Sequence, residues 1–336
     1  MTGFDRRAFF SLAGAAVLTG CTRDAEPRRD ARGASPTPSP TPSPTPFYPP
    51  PEAVYAQDVA DAFYDLKTRA GRFAQQLATY DVDAGPAPPA ALPGPQRART
   101  LAALAPLRRP GVWSRAQVRL VQLGGLVPVS ETATYASCMV VLEQQLTDRD
   151  RSASTVTRTV DVRLRRPDRE WVVEELRSAG GLPLARPDDL PAVAQRVLDS
   201  PRITLADSAR WDIYAGVVDQ ALLQVMGDLA DGFAYSVAVL RNGHPLNVID
   251  GRAKPPLSNH TKGRAVDVYA IDGTPVERLA PDRLTAFLRA IPVLGGRREV
   301  GAPLGFDLDG GGGDFFANTV HVDHVHVAVE PGARAT

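Results

Sequence analysis

At 336 residues the chain has room for about two domains of ~150 residues each, plus tails. A hydrophobic content of 43% supports a packed core, and 23% charged residues is ordinary for a soluble protein. The formal net charge is zero, so bulk basicity gives no route to nucleic acid, and none is expected as a partner.

The chain begins with an address. In "FDRRAFFSLAGAAVLTGC", Arg6 and Arg7 precede a short apolar run that ends at Cys21. A dozen or so residues is too short to span a bilayer core of ~30 Å as a helix, but it fits a secretory signal with a positive start and small residues at the cut. The ending "LTGC" resembles a bacterial lipobox, which implies cleavage before Cys21 and lipidation of its thiol. "RRAFF" resembles a twin-arginine signal, with Asp5 where that motif has Ser or Thr. Residues 1–21 are therefore expected to be a lipoprotein signal, which places the mature chain outside the cytoplasm on the membrane's outer face. Residues 22–51 include "ASPTPSPTPSPTPFYPPP", a Pro/Ser/Thr run that cannot build a core and favours extended polyproline II. Some thirty residues at ~3.1 Å each reach roughly 90 Å, a tether into the cell-wall layer.

Residues 52–180 form the first expected domain. Val59, Phe63, Leu66, Ala70, Phe73, Leu77 and Tyr80 recur at helical spacing, and a second helix is expected at about 95–107. Strands follow: "STVTRTVDVRLRR" alternates Val156, Val160, Val162 and Leu164 against Thr and charged residues, and "DREWVVEELRS" reads as a turn and closing strand. Cys138, the one cysteine besides Cys21, is in phase with Ala136, Val140 and Leu142, as a small core residue would be. Helices followed by an antiparallel meander ending in "LRRPDREWVVEEL" resemble the cone-shaped nuclear-transport-factor-2-like fold. No titratable cluster stands out here, so binding is expected rather than catalysis, with an unknown protein partner open to this domain.

A connector at 181–200 leads to a second domain at 201–332. Trp211, Tyr214, Val218, Ala221, Val225 and Leu229 make a helical stripe, with Asp207 as its expected N-cap. "AYSVAVL" is a buried strand closed by the "RNG" turn. All five histidines fall in this part: His244, His260, His321, His324 and His326. In "SNHTKGRAVDVYAI" a strand puts Val266 and Val268 on one face and Ala265, Asp267 and Tyr269 on the other. His260 arrives from the preceding loop. "TVHVDHVHVAVE" is a second strand-like run, and alternation puts His324 and His326 on one face, roughly 7 Å apart. Two histidines and an aspartate from two strands make a three-ligand N/N/O set with an open fourth position, the arrangement of a catalytic zinc. A structural zinc is normally closed by four protein ligands, often Cys. In "GFDLDGGGGDFF" the spacing of Asp307, Asp309 and Asp314 misses the EF-hand pattern, and a glycine-rich flap edged by Phe315 and Phe316 is expected beside the cleft.

Ser258-x-His260-x-x-Gly263-x-Ala265-x-Asp267 matches the SxHxxGxAxD signature of the D-alanyl-D-alanine carboxypeptidase and hedgehog-type zinc peptidases. "HVDHVH" is similar to the later His-x-His of the broader group that includes lysostaphin-type and penicillin-insensitive murein endopeptidases. The resemblance covers about residues 230–330 and implies a D,D-peptidase/hedgehog-like zinc domain, so that the whole chain would be α+β in two domains. It implies zinc on His260, Asp267 and His326, with His324 as base or oxyanion stabiliser and His321 lining the cleft. Asp323 stands where carboxypeptidase relatives carry a general-base Glu. Asp is a methylene shorter and in a continuous strand would face away, so His324 is the favoured catalytic partner. Arg241, His244 and Arg264 are the candidates for holding a substrate carboxylate, and Ser258 is grouped with them. The function implied is an exported, membrane-anchored zinc metallopeptidase acting on peptidoglycan peptides. The alternative is a peptidase-like module that binds cell-wall peptides or an envelope partner, since hedgehog proteins keep the zinc and serve as binding modules.

Overall fold

The computed structural model describes residues 49, 52–84, 86–89, 91–128, 133–292, 298–303, 305–309 and 314–330. The expected signal, lipidated Cys21, nearly all of the tether, and residues 310–313 of the glycine-rich flap lie outside the described residues. The described residues form one compact unit. It contains helices and sheets, an α+β architecture, built round two large hydrophobic cores. Among the described residues no helix is long and apolar enough to cross a membrane.

The first core lies between two helices and a four-stranded antiparallel meander. Helices α1 (Tyr64–Ala78) and α2 (Gly94–Ala103) come first, then β1 (Val112–Pro128), β2 (Ala133–Asp148), β3 (Ala153–Pro167) and β4 (Val172–Ser178), paired in chain order. Leu66, Ala70, Phe73 and Leu77 of α1 meet Leu123, Val140, Val160, Val162 and Leu164 of the sheet. The helical stripe is shorter than the periodicity predicts. Val59 precedes the helix and is 78% exposed, and Tyr80 follows it, its hydroxyl donating to Leu107 O at 2.8 Å. Cys138 is fully buried in this core, where burial pushes its thiol pKa up and leaves it inert.

On β3 the face opposite the core is buried as well. Thr159, Asp161 and Arg163 are all under 9% exposed. Arg163 pairs with Asp161 at 2.6 Å, Asp161 also accepts from Ser137 Oγ at 2.7 Å, and Thr159 N donates to Ser208 Oγ at 3.0 Å. This polar face is the seam on which the second core's elements sit, so its hydrogen bonds are made by protein rather than by water.

The second core packs helices against a sheet of order β10-β9-β11-β7-β6-β5. Its elements are α3 (Ala192–Asp199), β5 (Ile203–Leu205), α4 (Asp207–Tyr214), α5 (Gln220–Gly232), β6 (Tyr235–Val239), β7 (Ala265–Ile271), β8 (Thr274–Pro275, paired with β7), α6 (Pro281–Ala290), β9 (Arg298–Ala302), β10 (Phe315–Ala317) and β11 (Val325–Val329). The stripe expected as one helix is two. Gly216 adopts φ +66° and Asp219 caps α5 by accepting from Ala221 N at 2.9 Å, so the chain breaks between α4 and α5. Asp207 does not cap α4; its carboxylate crosses the seam to accept from Thr157 N at 2.8 Å. The second strand-like run is also shorter than expected. A 3-10 turn at Thr319–His321, capped by Asn318, and a bend precede β11, so His324 stands before the strand and not in it.

Candidate metal centre

The sheet register builds the site. Val266 and Val268 of β7 and Val325, Val327 and Val329 of β11 face the second core. Alternation turns Asp267 and His326 to the other face, where they are direct cross-strand partners. His326 Nδ1 lies 2.9 Å from Asp267 Oδ1. On its far side His326 is paired with Gly301 of β9, where a Cβ would stand 2.7 Å from the His321 ring, so only glycine leaves room for that imidazole.

His260 is delivered by a tight turn. Ser258 Oγ accepts from His260 N at 3.1 Å, and Gly263 N donates to His260 O at 2.8 Å. Gly263 has φ +71°, and a Cβ there would fall 1.9 Å from Val217 O, inside the α4–α5 connection. Gly263→Ala therefore combines left-handed strain with a backbone clash. We expect it to lower stability by at least ~2 kcal/mol, read as a drop of several degrees in the thermal midpoint.

The His260 ring is fixed from behind. Its Nδ1 is 2.6 Å from Leu240 O, and since a carbonyl only accepts, Nδ1 carries the proton. The turn holding Leu240 is pinned by Asp212, which is fully buried and accepts from Arg241 N and Asn242 N, each at 2.9 Å. Burial pushes the Asp212 carboxyl up to about 6, against the pull of those two N–H groups. The folded chain thus holds this proton more tightly than the unfolded chain, and ionisation withdraws stability as pH rises through about 6. In urea titrations of wild type and Asp212→Asn, lost acceptor bonds set a constant offset. Between pH 4.5 and 7.5 the variant should gain about 2 kcal/mol on wild type, because it has no charge to bury.

With a proton on Nδ1, His260 turns Nε2 toward Asp267 Oδ1 (3.1 Å) and His326 Nδ1 (3.2 Å). Asp267 is 1% exposed. Burial alone would raise its pKa, but the flanking imidazoles of His260, His324 and His326 outweigh this and hold the carboxyl well below the usual range. Glu299 Oε1 lies 3.7 Å from His326 Nε2, a carboxylate on the side where it favours a proton. Three electron-rich atoms then face one another at 2.9–3.2 Å, which needs a cation or shared protons between them. Tetrahedral zinc with bonds of about 2.0–2.1 Å has edges of roughly 3.3 Å, within a few tenths of an ångström of this triangle. The residues fit zinc. His244, His260 and Asp267 also bring ligand atoms within 4.8 Å of one another. The triangle closed by His326 is tighter, and His244 instead stacks on His260 at 3.9 Å with its Nδ1 donating to Pro245 O. Burial, then His260, keeps His244 neutral, its pKa well below the usual imidazole value.

This triangle forms the floor of a cleft of about 530 Å³ that Ser258, His321, His324 and Phe316 also line. His321 Nδ1 donates to Asn318 Oδ1 at 2.7 Å, and burial, then His324 and His326, hold its pKa well below the usual imidazole value. His324 Nδ1 lies 2.7 Å from Asp323 Oδ1, so Nδ1 carries a proton, and Nε2 faces Asp267 Oδ2 at 3.8 Å. Asp323 does not line the cleft; it lies buried behind His324 and touches that ring. Phe315 belongs to the second core, leaving Phe316 as the cleft edge.

Arg241 and Arg264 are not brought to the cleft. Arg241 sits on the Asp212 turn, and Arg264 faces Asp219 at 3.5 Å. Among the described residues, Arg252 and Lys262 are the arginine and lysine side chains that line the cleft, and sequence reasoning passed over both. It also missed Gln122 and Lys67, which reach the site from the first region. Gln122 Nε2 donates to Asp267 Oδ2 at 2.8 Å, and Lys67 Nζ lies 2.9 Å from Asp323 Oδ2. Lys67 carried one legible signal, being one of three lysines in a chain that otherwise uses arginine.

No protein-family model, no curated protein and no solved structure gives a significant match to this chain.

Proposed function

We propose that this chain is an exported, lipid-anchored zinc peptidase that hydrolyses peptide bonds in peptidoglycan stem peptides or cross-links. The observation that carries the reading is the triangle of His260, Asp267 and His326 at the floor of a cleft, with Nε2 of His324 beside it. His260, Asp267 and His326 would hold the ion, which supplies Lewis acidity to a carbonyl oxygen and to a water. His324 takes a proton at Nε2 and returns it to the leaving amine. Asp323 keeps the His324 tautomer and stabilises the imidazolium while it lasts, the role of the aspartate in other Asp–His pairs. Arg252 and Lys262, which line the cleft, would receive a substrate carboxylate.

The test is zinc stoichiometry on the fragment from Glu52 onward, with a muropeptide mixture whose products are read by mass. About one zinc per chain with new cleavage products is the expected result, and the masses name the bond. Zinc without cleavage would favour a second reading, a metal-holding module that binds wall peptides. The position of Asp323 speaks for that one: the carboxylate at the general-base place is turned away from the cleft.

A further inference from the structure

Side chains of the first region reach the cleft. Lys67, on α1, is 1% exposed, and its ammonium lies 2.9 Å from Asp323 Oδ2 and 3.5 Å from Glu277 Oε2. A buried ammonium is costly unless paired. The same Asp323 oxygen accepts from Leu123 N of β1 at 3.3 Å, while Oδ1 holds His324. One residue earlier on β1, Gln122 donates from Nε2 to Asp267 and leaves a buried Oε1 with no protein partner, a cost of about 1–3 kcal/mol. The strand register of β1 shifts between Leu123 and Gly125, the kind of irregularity that re-aims side chains beside functional sites.

We infer that Lys67 and Gln122 are positioning residues of the cleft: Lys67 holds His324 in its Nδ1–H tautomer through Asp323, and Gln122 orients Asp267 toward the metal. The helix-and-meander region is thereby a working part of the site. This rests on the peptidase reading for its catalytic consequence, but not for the geometry it asserts.

Burial opposes ionisation of Asp323 more than any other single effect, but the bond from His324 and the charge of Lys67 together keep it a carboxylate. Without Lys67 that carboxylate is stranded and takes up a proton, and a protonated Asp323 can donate to His324 Nδ1 and send the imidazole proton to Nε2. Asp267 without Gln122 loses its outer hydrogen bond, which for metal ligands typically lowers affinity 10–100-fold.

The experiment uses the fragment from Glu52 onward with ¹⁵N-labelled histidine. In wild type, nitrogen shifts should place the His324 proton on Nδ1; a proton on Nε2 overturns the inference with no variant needed. Lys67→Met, alone and with Glu277→Gln to rebalance the buried charge, should shift the proton toward Nε2 and lower kcat about 10–100-fold. KM and zinc content should stay within twofold. Gln122→Met should weaken zinc in a chelator competition about 10-fold or more. Folded variants with wild-type tautomer, kcat and zinc affinity would make both residues merely structural. If wild type cleaves nothing, the tautomer and zinc readouts still decide the positioning, and the peptidase reading alone fails.

Discussion

Substitution of His260 by alanine should strip zinc from the protein and abolish turnover, the largest effect of any single change in the cleft. Four-ligand zinc sites bind with apparent free energies of about 10–16 kcal/mol, so one ligand accounts for roughly 3–4 kcal/mol, or a loss of 10²–10³ in affinity. The ring also fills the space between His244 and His326, with centroids 3.9 and 5.0 Å away, so alanine leaves a hole in a buried cluster. Zinc content after dialysis and cleavage of muropeptides should fall together. A variant that kept one zinc per chain would remove His260 from the ligand set and the proposed site with it.

His324→Gln should behave differently. Glutamine still offers a donor to Asp323 but has no group that takes up a proton near neutral pH. We expect kcat to fall about 10²–10⁴-fold, the range for loss of a general base, with KM and zinc stoichiometry little changed. Steady-state kinetics with metal analysis separates the two substitutions. Loss of metal in the glutamine variant would mean that His324 is a ligand, and that the lone pair 3.8 Å from Asp267 serves binding instead of proton transfer.

Much of the site was legible in the chain because its geometry is local. Alternation along β7 put Asp267 opposite the core face, the serine–histidine–glycine spacing marked the turn that delivers His260, and the same period placed His326. What could not be read were contacts with no local period. Gln122 lies 145 residues from Asp267, and nothing in its strand distinguishes it from any polar residue on an exposed face. The polar side of β3 read as one half of an ordinary alternation, and the helix over 211–229 was split by Gly216 and the cap at Asp219, which override a continuous stripe. Arg241 and Arg264 failed as cleft residues because arginine is so common here that its presence near a motif carries little information.

The buried polar face of β3 has a consequence for how the chain melts. Asp207, Ser208 and Ala238 lie on elements that pack the second core, and Thr157 and Thr159 on β3 of the first, yet their bonds cannot be made until both are folded. Cutting the polypeptide at the connector and separating the pieces would expose the polar face of β3 and exchange these bonds for water. The two cores are therefore expected to melt in one transition, and an ion bound at the proposed site would protect the helices packed on the meander as well, a shift that calorimetry with and without zinc would read.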